Sequence, residues 1–132
     1  MILNKKTPQV LLISHNQDTQ QLIAAYLSDA EIVFDSVENV DDAAESLSEH
    51  HYNLILLDIC FSSLKDCNML QNLNHQLKIK IPVVVLVNDL KTEEVEKYFN
   101  LDISGCLSKP VNKMDLAGIL TQFLPDFNRS YN

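Results

Sequence analysis

Residues 54–58 have the sequence LILLD, four consecutive aliphatic residues followed by an aspartate. Similar short runs rich in apolar residues are VLLI at 10–13, EIVFD at 31–35 and VVVLV at 83–87, and a weaker run covers 103–108. Continuous apolar runs, rather than a strict alternation of apolar and polar residues, are typical of strands that are covered on both faces of a parallel sheet. The pattern therefore predicts five strands in one buried parallel sheet.

The segments between these strands have the periodicity of helices. Val40, Ala43, Ala44 and Leu47 fall at positions i, i+3, i+4 and i+7 and form one apolar stripe. The other predicted stripes are Leu22, Ile23, Tyr26 and Leu27; Leu70, Leu73 and Leu77; Val95, Tyr98 and Phe99; and Leu116, Ile119, Leu120, Phe123 and Leu124. A βα unit repeated five times predicts an α/β fold in which helices flank a parallel sheet.

Length, composition and charge narrow the class of protein. The 132 residues fit one domain, which we expect at 1–125, followed by a polar C-terminal tail at 126–132. A net charge of −8 and a single arginine argue against binding to nucleic acid or to anionic membranes, which needs clustered basic residues. No apolar run is long enough to cross a bilayer. Three cysteines without metal-type spacing predict reduced thiols and a cytoplasmic location.

Functional groups in an open parallel sheet gather beyond the carboxyl ends of the strands. This rule selects Ser14 and His15 after the first strand, Asp58 after the third, Val87 and Asn88 after the fourth and Lys109 after the fifth. Asp58 stands at the rim of an apolar strand, where a charge needs a partner. Lys109 is the only cation at an equivalent strand end, and we therefore predict an ion pair between the two.

Three motifs carry a resemblance to a known family: LILLD ending at Asp58, PVVVLV starting at Pro82, and SGCLSKP containing Lys109. Together they resemble the CheY-like receiver domain of bacterial two-component signalling. The resemblance implies a doubly wound, flavodoxin-like five-stranded sheet of order 2-1-3-4-5 with helices on both faces. It also implies that Asp58 occupies the phosphoacceptor position, that Lys109 occupies the phosphate-binding position, and that the peptide before Pro110 is cis.

The same resemblance reveals departures from the family pattern. The acidic pair that would hold Mg²⁺ is replaced by Ser14 and His15, and the hydroxyl residue after the fourth strand is replaced by Val87. The backbone carbonyl of Cys60 would be a further ligand only if Mg²⁺ bound. Because imidazole is a poor substitute for carboxylate oxygen in a magnesium site, we predict no metal and no other cofactor.

The sequence therefore predicts a degenerate receiver, a pseudo-receiver, that is not an enzyme and that signals by protein contact without Mg-dependent phosphorylation. The expected partner is a histidine kinase, another regulator or a fused output domain, with a homodimer through residues 92–124 as a further expectation. Two alternatives stay open: an ordinary receiver phosphorylated on Asp58, and a flavodoxin-like protein that binds a small molecule in the strand-end crevice.

Overall fold

The computed structural model describes residues 8–58, 68, 71–72, 75, 80–88, 103–125 and 127. Its strands form one parallel sheet of order β2-β1-β3-β4-β5, which confirms the predicted fold class. The elements in chain order are β1 (Val10–Ile13), α1 (Gln17–Asp29), β2 (Phe34–Val37), α2 (Val40–Glu49), β3 (Leu54–Asp58), β4 (Val83–Val87), β5 (Gly105–Ser108) and α3 (Lys113–Phe123).

Two of the predicted helices fall largely or wholly on parts of the chain that the structure does not describe. The stripe of Leu70, Leu73 and Leu77 lies outside the described residues, although four described residues of that segment are helical: Asn68, Gln71, Asn72 and His75. The stripe of Val95, Tyr98 and Phe99 also lies outside them. No helix of the described part of the chain is long and apolar enough to cross a membrane.

The core has two halves, one on each face of the sheet. Leu11, Ile55 and Val85 belong to the half that α2 covers, whereas Leu12, Leu56 and Val84 belong to the half that α1 and α3 cover. Successive residues of a strand point to opposite faces, so a strand buried on both faces must be apolar throughout. This is why the strands of this protein appear as continuous aliphatic runs, and why a polar residue directly after such a run marks the edge of the sheet.

The second strand begins later than predicted, at Phe34 rather than at Glu31. Glu31 has a φ of 58°, in the left-handed region. Its amide donates to the Ser28 carbonyl at 3.0 Å, and the Ile32 amide donates to the Leu27 carbonyl at 2.9 Å. These two bonds form the Schellman motif that ends a helix, so Glu31 and Ile32 serve to close α1 and are unavailable to the strand.

The chain packs on the sheet beyond the end of α3. Leu124 and Phe127 are buried in the half of the core that α1 and α3 cover, and the Phe127 amide donates to the Leu124 carbonyl at 3.3 Å. Phe127 lies in the segment that sequence analysis assigned to a polar tail. Its aromatic ring is the exception to that polarity, and burying it contributes to the core.

Candidate functional site

The candidate site lies at the carboxyl edge of the sheet, where β1 and β3 are neighbours. Ile13 is in register with Leu57, so the residues that follow them, Ser14 and Asp58, come side by side. Lys109 follows β5, and its amide donates to the carbonyl of Val87 at 2.7 Å. The Lys109–Pro110 peptide is cis, as the resemblance implied. The strand order thus brings together groups that are far apart in the sequence.

Both carboxylate oxygens of Asp58 are engaged within the chain. The Lys109 ammonium group forms an ion pair with Oδ1, and the Ser14 hydroxyl donates to Oδ2 at 2.7 Å. The side chain of Asp58 is 6% exposed and that of Lys109 is 15% exposed, so water screens the pair only weakly. The ion pair predicted from the sequence is therefore present, and the hydroxyl of Ser14 completes the set of partners.

Ser14 also connects the site to the start of α1. Its Oγ accepts a hydrogen bond from the Asn16 amide at 3.1 Å, and its carbonyl accepts one from the side chain of Gln20. Asn16 is the N-cap of α1 and accepts from the Thr19 amide at 3.0 Å. Sequence analysis placed Ser14 in the site as a departure from the family pattern and missed this role. A small hydroxyl residue directly after a buried strand was the available signal.

Of the remaining predicted site residues, His15 and Val87 lie in the described part of the chain and do not join this group as hydrogen-bonding partners. His15 is exposed. Val87 is fully buried in the half of the core that α2 covers, and its side chain has no hydrogen-bonding atom. Cys60 lies outside the described residues.

The residues that the structure describes at this edge do not fit a magnesium ion. Mg²⁺ is usually held by carboxylate oxygens and water in an octahedral shell. At this edge the carboxylate of Asp58 already has an ammonium on Oδ1 and a hydroxyl on Oδ2. Within the described ranges there is no group of three His, Cys, Asp or Glu side chains that could hold a metal ion. Asp18, the nearest acid in sequence to Ser14, is exposed on the first turn of α1.

Cys106 lies on β5. It is half-buried and packs against the half of the core that α2 covers. Burial raises the pKa of its thiol, because the thiolate is disfavoured away from water. A thiol in this environment is poorly nucleophilic, which agrees with a packing role.

A second polar contact joins β2 to the loop before β3. The hydroxyl of Tyr52, a residue that is only 1% exposed, donates to Oδ2 of Asp35 at 2.5 Å. The ring of His50 meets the ring of Tyr52 edge-on, with the centroids 6.1 Å apart. Burial, followed by the hydrogen bond and the negative charge of Asp35, raises the pKa of Tyr52 above its ordinary value. No periodicity in the sequence predicted this contact.

Comparison with known proteins agrees with the fold and the strand-end motifs. A family model described as the response regulator receiver domain matches residues 10–121. Among curated relatives, the chain is 23% identical to the osmosensing histidine protein kinase SLN1 of Saccharomyces cerevisiae, over 98% of this chain and 11% of the kinase. The chain thus spans only about a tenth of that relative.

Solved structures have the same architecture. The chemotaxis protein CheY4 of Vibrio cholerae superposes with a TM-score of 0.78 at 18% identity, covering 90% of this chain and 100% of CheY4. The receiver domain of the Saccharomyces cerevisiae response regulator Ssk1, solved with the histidine phosphotransfer protein Ypd1, gives a TM-score of 0.75 at 21% identity, covering 97% and 100%. The strand order, the strand-end residues and the match over residues 10–121 lead to one conclusion: the chain belongs to the response regulator receiver domain family.

Proposed function

We propose that this receiver domain is a pseudo-receiver, which signals by protein contact without Mg-dependent phosphorylation of Asp58, and that it is not an enzyme. The observation that carries the proposal is that both carboxylate oxygens of Asp58 already have partners within the chain. One of its oxygens is paired with the Lys109 ammonium and the other accepts the Ser14 hydroxyl. A carboxylate with both oxygens engaged is poorly placed to attack a phosphoryl group.

The electrostatics of phosphoryl transfer support the same proposal. An attacking carboxylate and an incoming phosphoryl group are both anionic, and a dication normally offsets their repulsion. Here Ser14 and His15 replace the acidic pair that would hold such an ion. Val87 offers no hydroxyl to a phosphoryl oxygen and is buried in the core. Lys109, which already pairs with Asp58, would have to neutralise the phosphoryl group as well.

The proposed partners are proteins of a phosphorelay. SLN1 is described as a histidine protein kinase, and the Ssk1 receiver was solved with a histidine phosphotransfer protein. By analogy, we propose that this domain contacts a histidine kinase, a phosphotransfer protein, another regulator or an output domain, in the cytoplasm. The net charge of −8 favours protein partners over nucleic acid or membrane lipid. A homodimer through residues 92–124 belongs to the same proposal, although 92–102 lie outside the described residues.

The second candidate function is an ordinary receiver that accepts a phosphoryl group on Asp58. One arrangement favours it: Asp58 and Lys109 stand at the acceptor and phosphate-binding positions and contact each other. In that case Mg²⁺ and the phosphoryl group would have to displace both the Ser14 hydroxyl and the Lys109 ammonium from the carboxylate.

A titration with Mg²⁺ and beryllofluoride, a phosphoryl mimic, separates the two candidates. Backbone amide shifts of residues 14–16, 58 and 109 are followed by NMR in the wild type and in Asp58→Asn. The pseudo-receiver predicts no saturable change in either protein. A saturable change in the wild type that is lost in Asp58→Asn would refute the proposal and establish the ordinary receiver.

A further inference from the structure

The turn between β1 and α1 is held by a hydrogen bond to Asp58, a residue at the end of β3; we call this contact the anchor of the turn. Ser14 Oγ donates to Asp58 Oδ2 at 2.7 Å and accepts from the Asn16 amide at 3.1 Å. Asn16 then caps α1 by accepting from the Thr19 amide. A chain of hydrogen bonds therefore runs from the end of β3 through Ser14 into the first turn of α1.

The hydroxyl proton of Ser14 can serve only one acceptor at a time. The alternative acceptor, the Asn16 carbonyl, lies at 3.4 Å, whereas the Asp58 carboxylate lies at 2.7 Å and is charged. Hydrogen bonds to ionised acceptors are shorter and stronger than those to neutral acceptors, so the Ser14 hydroxyl donates its proton to the Asp58 carboxylate. Ser14 is only 2% exposed, and water cannot readily replace Asp58 as its acceptor.

From this geometry we infer that Ser14 is a positioning residue and that Asp58 acts through it as the anchor of the β1–α1 turn. His15, Asn16, Gln17 and Asp18 are all exposed beside the anchor. The Asp58–Ser14 bond holds this polar surface in one shape before any partner arrives. The inference rests on the proposed function, since an anchor of this kind is permanent only where Asp58 is not consumed by phosphorylation.

The inference gives Asp58 a role that does not depend on phosphoryl chemistry. Asp58→Asn and Asp58→Ala both remove the carboxylate that phosphorylation would require, but they differ in their ability to hydrogen-bond to Ser14. The amide of asparagine can either accept from the Ser14 hydroxyl or donate to it, so Ser14 keeps a partner. The methyl group of alanine can do neither. A loss of partner binding in Asp58→Ala alone would therefore report a released turn.

Amide hydrogen exchange tests the anchor without metal, phosphate or partner. It is measured by NMR at the Asn16 and Thr19 amides in the wild type, Ser14→Ala, Asp58→Ala and Asp58→Asn. The Asp42 amide is the internal control, because it bonds to the N-cap of a different helix, Asn39, at 2.8 Å. Amides of β4 report global unfolding, and exchange at the turn is compared with them in each variant.

We expect Ser14→Ala and Asp58→Ala each to speed exchange at Asn16 about 3- to 10-fold, the range expected for the loss of one hydrogen bond. Asp58→Asn stays within about twofold of the wild type, and Asp42 does not change relative to β4 in any variant. The double variant Ser14→Ala/Asp58→Ala exchanges like the single ones, because both break the same chain of bonds.

Unchanged exchange at Asn16 in Ser14→Ala or in Asp58→Ala would overturn the inference. An equal rise in Asp58→Asn and Asp58→Ala would also overturn it, because charge rather than the hydrogen bond would then hold the turn. None of these results bears on magnesium or beryllofluoride binding. Failure of the anchor and failure of the proposed function are therefore distinguishable.

Discussion

Ser14 and Asp58 are 44 residues apart in the sequence, yet the hydroxyl of one lies 2.7 Å from a carboxylate oxygen of the other. The contact exists because β1 and β3 are parallel neighbours and their last residues, Ile13 and Leu57, are in register. It gives the buried carboxylate a second partner beside Lys109. The site is therefore satisfied by the chain itself, and this distinguishes it from an open binding site.

Removing the ammonium group of Lys109 should lower the free energy of unfolding. In Lys109→Met the largely buried carboxylate of Asp58 keeps only the Ser14 hydroxyl, and an uncompensated buried charge destabilises a protein strongly. We expect the free energy of unfolding to fall by about 3 kcal/mol at pH 7 in urea titrations. The matched control is Lys113→Met, at the exposed start of α3, which should change it by less than about 0.5 kcal/mol.

The double variant Asp58→Asn/Lys109→Met tests whether the two groups stabilise each other directly. Because asparagine carries no charge, the loss of Lys109 no longer leaves a buried ion behind. The double variant should therefore be more stable than the sum of the single effects predicts, by at least about 1 kcal/mol. Strict additivity in the same urea titrations would contradict a direct pair.

Restoring carboxylates should create a metal site. In Ser14→Asp/His15→Asp the pocket gains the donor type that Mg²⁺ prefers, and the repulsion between the acids is relieved only when the ion binds. At a Mg²⁺ concentration of 100 times the dissociation constant, we expect about 2.7 kcal/mol of added stability in this variant and none in the wild type.

Thermal unfolding with and without Mg²⁺ measures this difference. Adding Asp58→Asn to the variant removes one of the ligands and should reduce the gain. If the wild type gained as much stability from Mg²⁺ as the variant does, the fit argument for this pocket would be wrong.

Glu31 offers a stabilising substitution. Its φ of 58° strains an ordinary side chain but suits glycine, which is the usual residue at this position of a Schellman motif. We expect Glu31→Gly to raise the free energy of unfolding by about 0.5–1 kcal/mol in urea titrations. Ala25→Gly, at an exposed position inside α1, should lower it instead, because glycine weakens a helix interior. A loss of stability in both variants would contradict the strain at Glu31.

The raised pKa of Tyr52 predicts that the folded protein loses stability at alkaline pH. Its pKa is raised in the folded protein, so the unfolded chain loses the phenol proton first as the pH rises. The associated stability is fully present below pH 10 and declines above it, by up to about 1.4 kcal/mol per pH unit. Tyr52→Phe removes the Asp35 bond and costs about 1 kcal/mol at pH 8.

Urea titrations between pH 8 and pH 11 test whether the free energy of unfolding falls as the pH rises. The wild-type curve should fall more steeply than that of Tyr52→Phe above pH 10, so that the gap between them narrows. Parallel curves would show that Tyr52 titrates alike in the folded and unfolded states.

The strand ends show how far the sequence could predict the site. Four aliphatic residues before Asp58 predicted a buried strand and an aspartate at its rim, and Lys109 was the one cation at a matching strand end. These conclusions need only the alternation of side chains along a strand and the rule that strand ends share an edge. The ion pair followed from them, whereas the loss of the acidic pair at Ser14 and His15 was inferred from the resemblance to the receiver family.

The start of β2 shows where local patterns fail. EIVFD is a good strand by composition, but closing α1 requires Glu31 and Ile32, and a backbone amide cannot serve both purposes. The Tyr52–Asp35 bond and the burial of Phe127 also escaped prediction. Each of them joins parts of the chain through side chains whose positions depend on packing.

The sequence by itself determined the parallel sheet and the identity of the groups at its carboxyl edge. It also determined that the negative charge of Asp58 needs a cationic partner. Only the tertiary structure decided how the carboxylate is satisfied: which oxygen faces Lys109, which accepts Ser14, and how Ser14 reaches the cap of α1. Periodicity reports which face of a strand is buried. Hydrogen bonds instead depend on distances between residues far apart in the chain, which the order and register of the strands set.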